Sequence, residues 1–258
     1  PKAPKIVYKS GSETNEITLM IRMPSLRIDD VTPLVSLDKA YIYRDGELYE
    51  TLELEKTDTS KIIKFTDNVD EEGYYRYKVK ISDSFDNPDI DPQESDFSSE
   101  EIVFTGKIKN SFSENFDSPP LPRYLITGDW GTADNFAKSA PFSMTESPDG
   151  DYESQQNIYM VVFPVHANSE YMQLSFWHAA LVSYQDSAIV EYSINDTKDW
   201  EILEFYNQRK YEPWGKDGLN SEDWKRETID LPELSDDTLY VRFRFTSNAF
   251  LSNDGWYI

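Results

Sequence analysis

Residues 145–157, TESPDGDYESQQN, place four carboxylates (Glu146, Asp149, Asp151 and Glu153) among Gly, Pro, Ser and Asn. Across residues 139–197 the chain has eight acidic residues and no Lys or Arg, so no local salt bridge neutralises this stretch. Hard cations such as calcium take about six to eight oxygens from carboxylates, amides, backbone carbonyls and water, and a short loop rich in Asp, Asn, Ser and Gly can wrap such an ion. The D-x-D-x-D-G spacing of an EF-hand is absent. Composition therefore leaves two readings of this loop, a calcium site and a solvated acidic surface.

A second cluster lies in YNQRKYEPWGKDGLNSED. Tyr206, Asn207, Arg209, Tyr211 and Trp214 combine aromatic rings with amide and guanidinium donors. A sugar-binding surface uses such groups, by stacking on the ring and bonding neighbouring hydroxyls. The alternative is a loop whose Trp packs down on its own sandwich. For catalysis there is little: the G-x-S-x-G, H-E-x-x-H, P-loop and dinucleotide signatures are all missing. The two His, His166 and His178, are too few for a three-His metal site, and in LSFWHAAL His178 alternates with Leu174 and Phe176, which places it on an inward face. A glycosidase needs two carboxylates facing across a cleft. Only Glu53 and Glu55 share a strand face at two-residue spacing, and they read as solvated.

These groups must be positioned by β structure. The chain of 258 residues is 14% aromatic, with Tyr-rich alternating segments and no helical stripe of useful length. Its formal net charge of -23 argues against nucleic acid and anionic membrane as partners, both of which require clustered Lys and Arg. Cys is absent, and no window approaches the roughly 20 apolar residues of a membrane span. The opening PKAPKIVYKS is neither a signal peptide nor an initiator Met, so the chain is expected to be a piece of something longer.

Candidate strands in the first hundred residues are 16–23, 39–43, 47–54, 62–65, 74–81 and 101–105. Asp45-Gly46 in IYRDGELYETL has the residue types of a tight hairpin turn. YYRYKVKI alternates Tyr75, Tyr77, Val79 and Ile81 against Arg76, Lys78 and Lys80, giving one core face and one wet face. After GKIKNS at 106–111 the composition shifts: residues 1–106 carry ten net negative charges, the remainder thirteen together with all six Trp and both His. Two domains follow, 1–106 and 107–258. Strands in the second are expected at 113–116, 157–162, 172–181, 187–195, 200–206, 225–230 and 239–247, with Val190, Tyr192, Ile194, Val241, Phe243 and Phe245 inward.

Residues 1–106 resemble a bacterial fibronectin type III domain, in MP after the second strand, SLDKAYIYRDGELYETL, FTD, YYRYKVKISD and SSEEIVFTG. The departure is Ile21, where the family usually has a buried Trp; it reads as a smaller core substitute. Residues 107–258 resemble the adhesin-like jelly-roll domains related to MAM domains. The matching pieces are NFD, SPDGDY, LSFWH, VEYS, Trp200, Trp224 with IDL, VRFRFTSN and DGWYI. That family continues beyond DGWYI, so the last strand is expected to be truncated. The resemblance places Trp130, Trp200, Trp224 and Trp256 in the core. It implies a structural calcium clasping the long loop to the chain ends, with Glu114, Asp117, Asp149, Asp151 and Asp254 as ligands by position.

The expectation is an all-β chain, a fibronectin type III sandwich followed by a jelly-roll sandwich. It would act as a secreted or cell-surface, calcium-stabilised, non-catalytic module that recognises a glycan or a host or matrix protein beside further domains of its parent chain. The alternative is an accessory region of a secreted hydrolase, such as a metalloprotease, whose catalytic domain lies elsewhere. No Arg-Gly-Asp tripeptide occurs, so the first domain is expected to be a spacer.

Overall fold

The computed structural model describes residues 1–85, 89, 91–118, 121–167, 171–210 and 218–258. The described chain is all-β and divides into two compact units, Pro1–Lys107 and Ile108–Ile258.

In the first unit the strands are β1 (Lys5–Gly11), β2 (Glu16–Arg22), β3 (Leu37–Arg44), β4 (Glu47–Glu53), β5 (Ile62–Asn68), β6 (Gly73–Asp83), β7 (Gln93–Glu94) and β8 (Glu101–Thr105). One sheet runs β1-β2-β5; the other runs β4-β3-β6-β7, with β8 also on β6. Period-two patterning explains the sandwich. Ile17, Leu19 and Ile21 of β2 are buried against the inner face of the other sheet, where Ala40 and Ile42 of β3 lie beside Tyr75, Tyr77, Val79 and Ile81 of β6. Ile21 is fully buried, in keeping with its reading as a core residue. Asp45 (φ 52°) and Gly46 (φ 91°) form the turn between β3 and β4, and Asp45 Oδ1 accepts from the Arg76 amide at 3.0 Å. Strand β1 was not anticipated: Val7 and Tyr8 are exposed on it, so it lacks the buried alternation that marks a strand.

The second unit contains β9 (Leu125–Ile126), β10 (Gly131–Ala133), β11 (Ser143–Thr145), β12 (Asn157–Val161), β13 (Val165–Ala167), β14 (Gln173–Leu181), β15 (Ser187–Ile194), β16 (Glu201–Tyr206), β17 (Lys225–Asp230), β18 (Asp237–Thr246) and β19 (Gly255–Tyr257). They build a sheet β10-β11-β19-β14-β17 and a sheet β16-β15-β18-β12-β9, with β13 on β18. The inner faces meet on Met160, Val190, Val241, Phe243, Phe245 and Trp256.

Three expectations are corrected here. Residues 113–116 are not a strand, because Glu114 Oε1 accepts from the amides of Asn115 and Phe116 (2.9 and 2.8 Å) and turns the chain. Ile194 ends β15 at 39% exposure instead of facing the core. Trp130, Trp224 and Trp256 are buried, whereas Trp200 is half-buried beneath the Arg242 guanidinium at 4.2 Å.

Candidate functional site

The loop after β11 is pinned at several points. Tyr152, 2% exposed, donates its hydroxyl to Asp186 Oδ2 at 2.7 Å, and its amide bonds to the Asn253 carbonyl at 2.9 Å. Ser247 Oγ accepts from the Gln156 amide (2.9 Å) and donates to the Glu153 carbonyl (2.7 Å). The loop is therefore stitched to the segment between β18 and β19. Ser147 adds a bond from its hydroxyl to the Asp254 carbonyl at 2.9 Å.

Directly before that serine sits Glu146, 2% exposed. Its two oxygens accept from the Trp256 amide at 3.1 and 3.0 Å, and Thr145 Oγ1 adds a longer bond of 3.3 Å. Burial pushes its carboxyl up to about 8, against the opposing effect of these amide and hydroxyl donors, with nearby Asp254 adding to the rise. Such close approach requires glycine at 255. Its φ is +109°, and a Cβ there would lie 2.3 Å from Ser147 Oγ and 2.5 Å from Glu146 Oε1. The Gly in DGWYI is thus the counterpart of a buried carboxylate more than a hundred residues earlier.

Beside Glu146 opens a recess of about 210 Å³ lined by five carboxylate residues, Asp129, Glu146, Asp149, Asp151 and Glu153. The structure brings Asp149 and Asp151 together on this recess but does not assemble the five expected ligands. Asp254 Oδ1 accepts from the Tyr257 hydroxyl at 3.0 Å. Glu114 Oε2 takes the Tyr124 hydroxyl at 2.5 Å. Asp117 Oδ2 bonds the Asn115 amide at 2.6 Å, and its buried Oδ1 has no hydrogen-bond partner among the described residues. Among the described residues no three acidic or His side chains converge closely enough to hold a metal ion. The donor chemistry of the recess nevertheless fits a hard cation: its polar lining is rich in carboxylate oxygen, and one of those carboxylates, Glu146, is buried without a basic partner. Sequence reasoning counted Glu146 in the loop but did not place it in the ligand set. The glycine of DGWYI is the signal that marks it, and that signal acquires meaning only once β19 is placed next to β11.

The expected sugar-binding cluster fares differently. Tyr206 is fully buried at the end of β16, its ring against His178 (4.5 Å) and Trp256 (6.3 Å), so it is a core residue and not a platform. Asn207, 7% exposed, donates to the Asp186 carbonyl at 3.2 Å and accepts from the Arg209 amide at 3.0 Å, which commits it to the turn. Arg209 lies 5.2 Å above the Tyr184 ring. Tyr211 and Trp214 fall outside the described residues.

His178 is fully buried, as its alternation predicts, and its Nδ1 accepts from Trp256 Nε1 at 3.1 Å. Burial, with Lys225 and Lys210 adding, pulls the imidazole down to about 3, so it is neutral at pH 7. His166 pairs with Asp236 at 3.2 Å.

No protein-family model matches the chain. Bacillopeptidase F of Bacillus subtilis (strain 168) is 27% identical over 169 residues, 61% of this chain and 11% of that protein. Among solved structures, a carbohydrate-binding module of the β-sandwich superfamily is 12% identical, with a TM-score of 0.35 over 99% of this chain and 96% of that one. The secreted serine protease VesC of Vibrio cholerae is 10% identical, with a TM-score of 0.31 over 97% of this chain and 46% of that one. The matched segment thus spans about a tenth of the length of the curated relative.

Proposed function

We propose that the chain is a non-catalytic extracellular binding region, made of a fibronectin-like sandwich and a jelly-roll sandwich, that recognises a glycan or protein at a cell surface. The observation that carries this reading is how the groups able to do acid–base chemistry are used. His178 is a neutral acceptor for Trp256, Asp186 holds Tyr152, and Glu191 is locked between Arg242 and Arg244. Each of these three is committed to holding the sandwich, which leaves the carboxylates of the acidic recess as the groups for the turnover assay below to test.

Calcium is the cation that the acidic recess would take, its charge set against the carboxylates of Glu146, Asp149 and Asp151 along the wall, with Asp254 close by and water and backbone oxygens completing its shell. Bound there, it would supply charge neutralisation for the buried carboxylate and stabilise the native state by mass action. The test is thermal unfolding in EDTA and after calcium is restored. A reversible rise in Tm that Asp149→Ala or Glu146→Gln removes supports the clasp, and an unchanged Tm after verified metal removal sinks it.

The second reading, an accessory region beside a secreted peptidase, is favoured by the likeness to Bacillopeptidase F. Peptidase activity would then belong to a catalytic domain outside these residues. Assays of the chain on casein and aryl glycosides should show no turnover; turnover lost on replacing one of the recess carboxylates would overturn the non-catalytic reading.

A further inference from the structure

Residues 1–106 contain thirteen Lys and Arg. Eight of them, Lys2, Lys9, Arg27, Lys39, Arg44, Lys61, Lys78 and Lys80, are ion-paired to carboxylates. Lys56 and Arg76 have other partners. The three that remain, Lys5, Arg22 and Lys64, are all exposed and have no ion pair among the described residues.

Strand register puts these three on one surface. In β2 the inward residues are Ile17, Leu19 and Ile21, so Met20 and Arg22 point outward. Lys5 pairs with Arg22, and Arg22 with Ile62, forming one row across the three-stranded sheet. Tyr8 pairs with Met20, and Met20 with Lys64, forming the next. The two rows are about 7 Å apart, and neighbours within a row stand about 5 Å apart. The rows hold no acidic residue, and Tyr8 presents 54% of its surface. Lys5 and Arg22 also line an open cavity of about 510 Å³ at the end of the sheet, with Met23, Pro24, Ser98 and Phe97, whose ring packs on Tyr43; no carboxylate lines it. In a chain of net charge -23 this face is a local inversion of sign.

We propose that this face binds a carboxylate-bearing oligosaccharide, a glycan strand containing uronic acid residues. The Arg22 guanidinium offers a planar fork that matches a carboxylate, and Lys5 and Lys64 act as flanking point charges. Cations repeated at this spacing suit anionic groups repeated along a chain better than one isolated ion. Tyr8 supplies an apolar face on which a sugar ring stacks, and the cavity falls in the range of about 300–1,000 Å³ of small-ligand sites. Three unpaired cations on this face are too few for a polyphosphate duplex, whose binding draws on many phosphate contacts. The site rests on the first unit alone and stands whether or not the acidic recess of the second binds a cation.

The test is isothermal titration calorimetry of the full chain with hexagalacturonate in low salt, with cellohexaose as the neutral comparison and hexaglutamate as the acidic-peptide comparison. Binding of hexagalacturonate should weaken at least tenfold in R22E/K64E, weaken several-fold in Y8A, and fall as NaCl is raised. Cellohexaose should bind at least tenfold more weakly than hexagalacturonate. All three positions are exposed, so the variants should melt at the temperature of the parent, and a melt verifies this. Absence of binding, retention of binding in R22E/K64E, or equal affinity for cellohexaose overturns the proposal. Equal affinity for hexaglutamate also overturns it, because the face would then read charge without sugar.

Discussion

Glu146 and Glu191 are the same residue type at nearly the same burial, 2% and 3% exposed, and the second unit treats them in opposite ways. Glu191 lies on β15 beside Arg242 and Arg244 of β18, whose guanidinium nitrogens reach it at 2.6 and 2.8 Å. Burial alone would push its carboxyl up, but the bonds from Arg244 and Arg242 outweigh that and hold it below its ordinary value. Glu146 meets only amide and hydroxyl donors, so burial wins and the carboxyl is raised. A buried carboxylate needs a partner charge, a proton or a cation. The fold supplies the first at Glu191 and leaves the other two open at Glu146.

The largest test of this contrast is Glu191→Ala, which strands two largely buried guanidinium groups. Unfolding by denaturant at pH 7 should show a loss of about 3–5 kcal/mol. In the wild type, the Glu191 contribution is present above the unfolded carboxylate value and is lost as pH falls through the lower folded value. A loss below about 1 kcal/mol would mean the ion triad is solvated after all.

His178→Leu should follow, at about 1–3 kcal/mol, because Trp256 Nε1 loses its acceptor inside the core. His178 also carries a pH signature. Its folded value near 3 lies below the unfolded value of about 6.5, so its stabilising contribution is complete above 6.5 and declines as pH falls toward 3. The Leu variant should lose that part of the acid slope in a pH series of melts.

Glu146→Gln should have the opposite sign. In metal-free protein the folded carboxyl holds its proton up to about 8 while the unfolded one releases it near 4.5, so stability falls as pH rises between these values. The Gln variant should remove that decline and gain about 1–2 kcal/mol at pH 9 in EDTA. If it destabilises at pH 9 in EDTA, Glu146 has a charge partner that the geometry does not reveal.

The smallest effect belongs to Glu153→Ala on the exposed side of the same loop, within about 0.5 kcal/mol in EDTA. A larger loss would show that the loop's acids act together even without a cation.

Most of the long strands were legible in the sequence, because period-two burial is written in residues such as Tyr75, Tyr77, Val79 and Ile81 and in the Asp45-Gly46 turn. The short ones, β7, β9, β10, β11, β13 and β19, span only two or three residues each, too few for a period to register. Tyr206 shows the converse error. A polar, aromatic stretch read as an exposed platform has its first residue in the core, since a strand end turns its ring inward whatever follows it.

The sequence by itself determined that this is an all-β, strongly acidic chain without Cys and that His178 faces inward, since composition and alternation are local properties. Only the tertiary structure decided that Glu146 is the buried acid and Asp149 the exposed one, that Gly255 makes room for it, and that Lys5, Arg22 and Lys64 share a face. Each depends on segments far apart in the chain coming into register, and the desolvation and pairing that set a charge's role exist only after they have met.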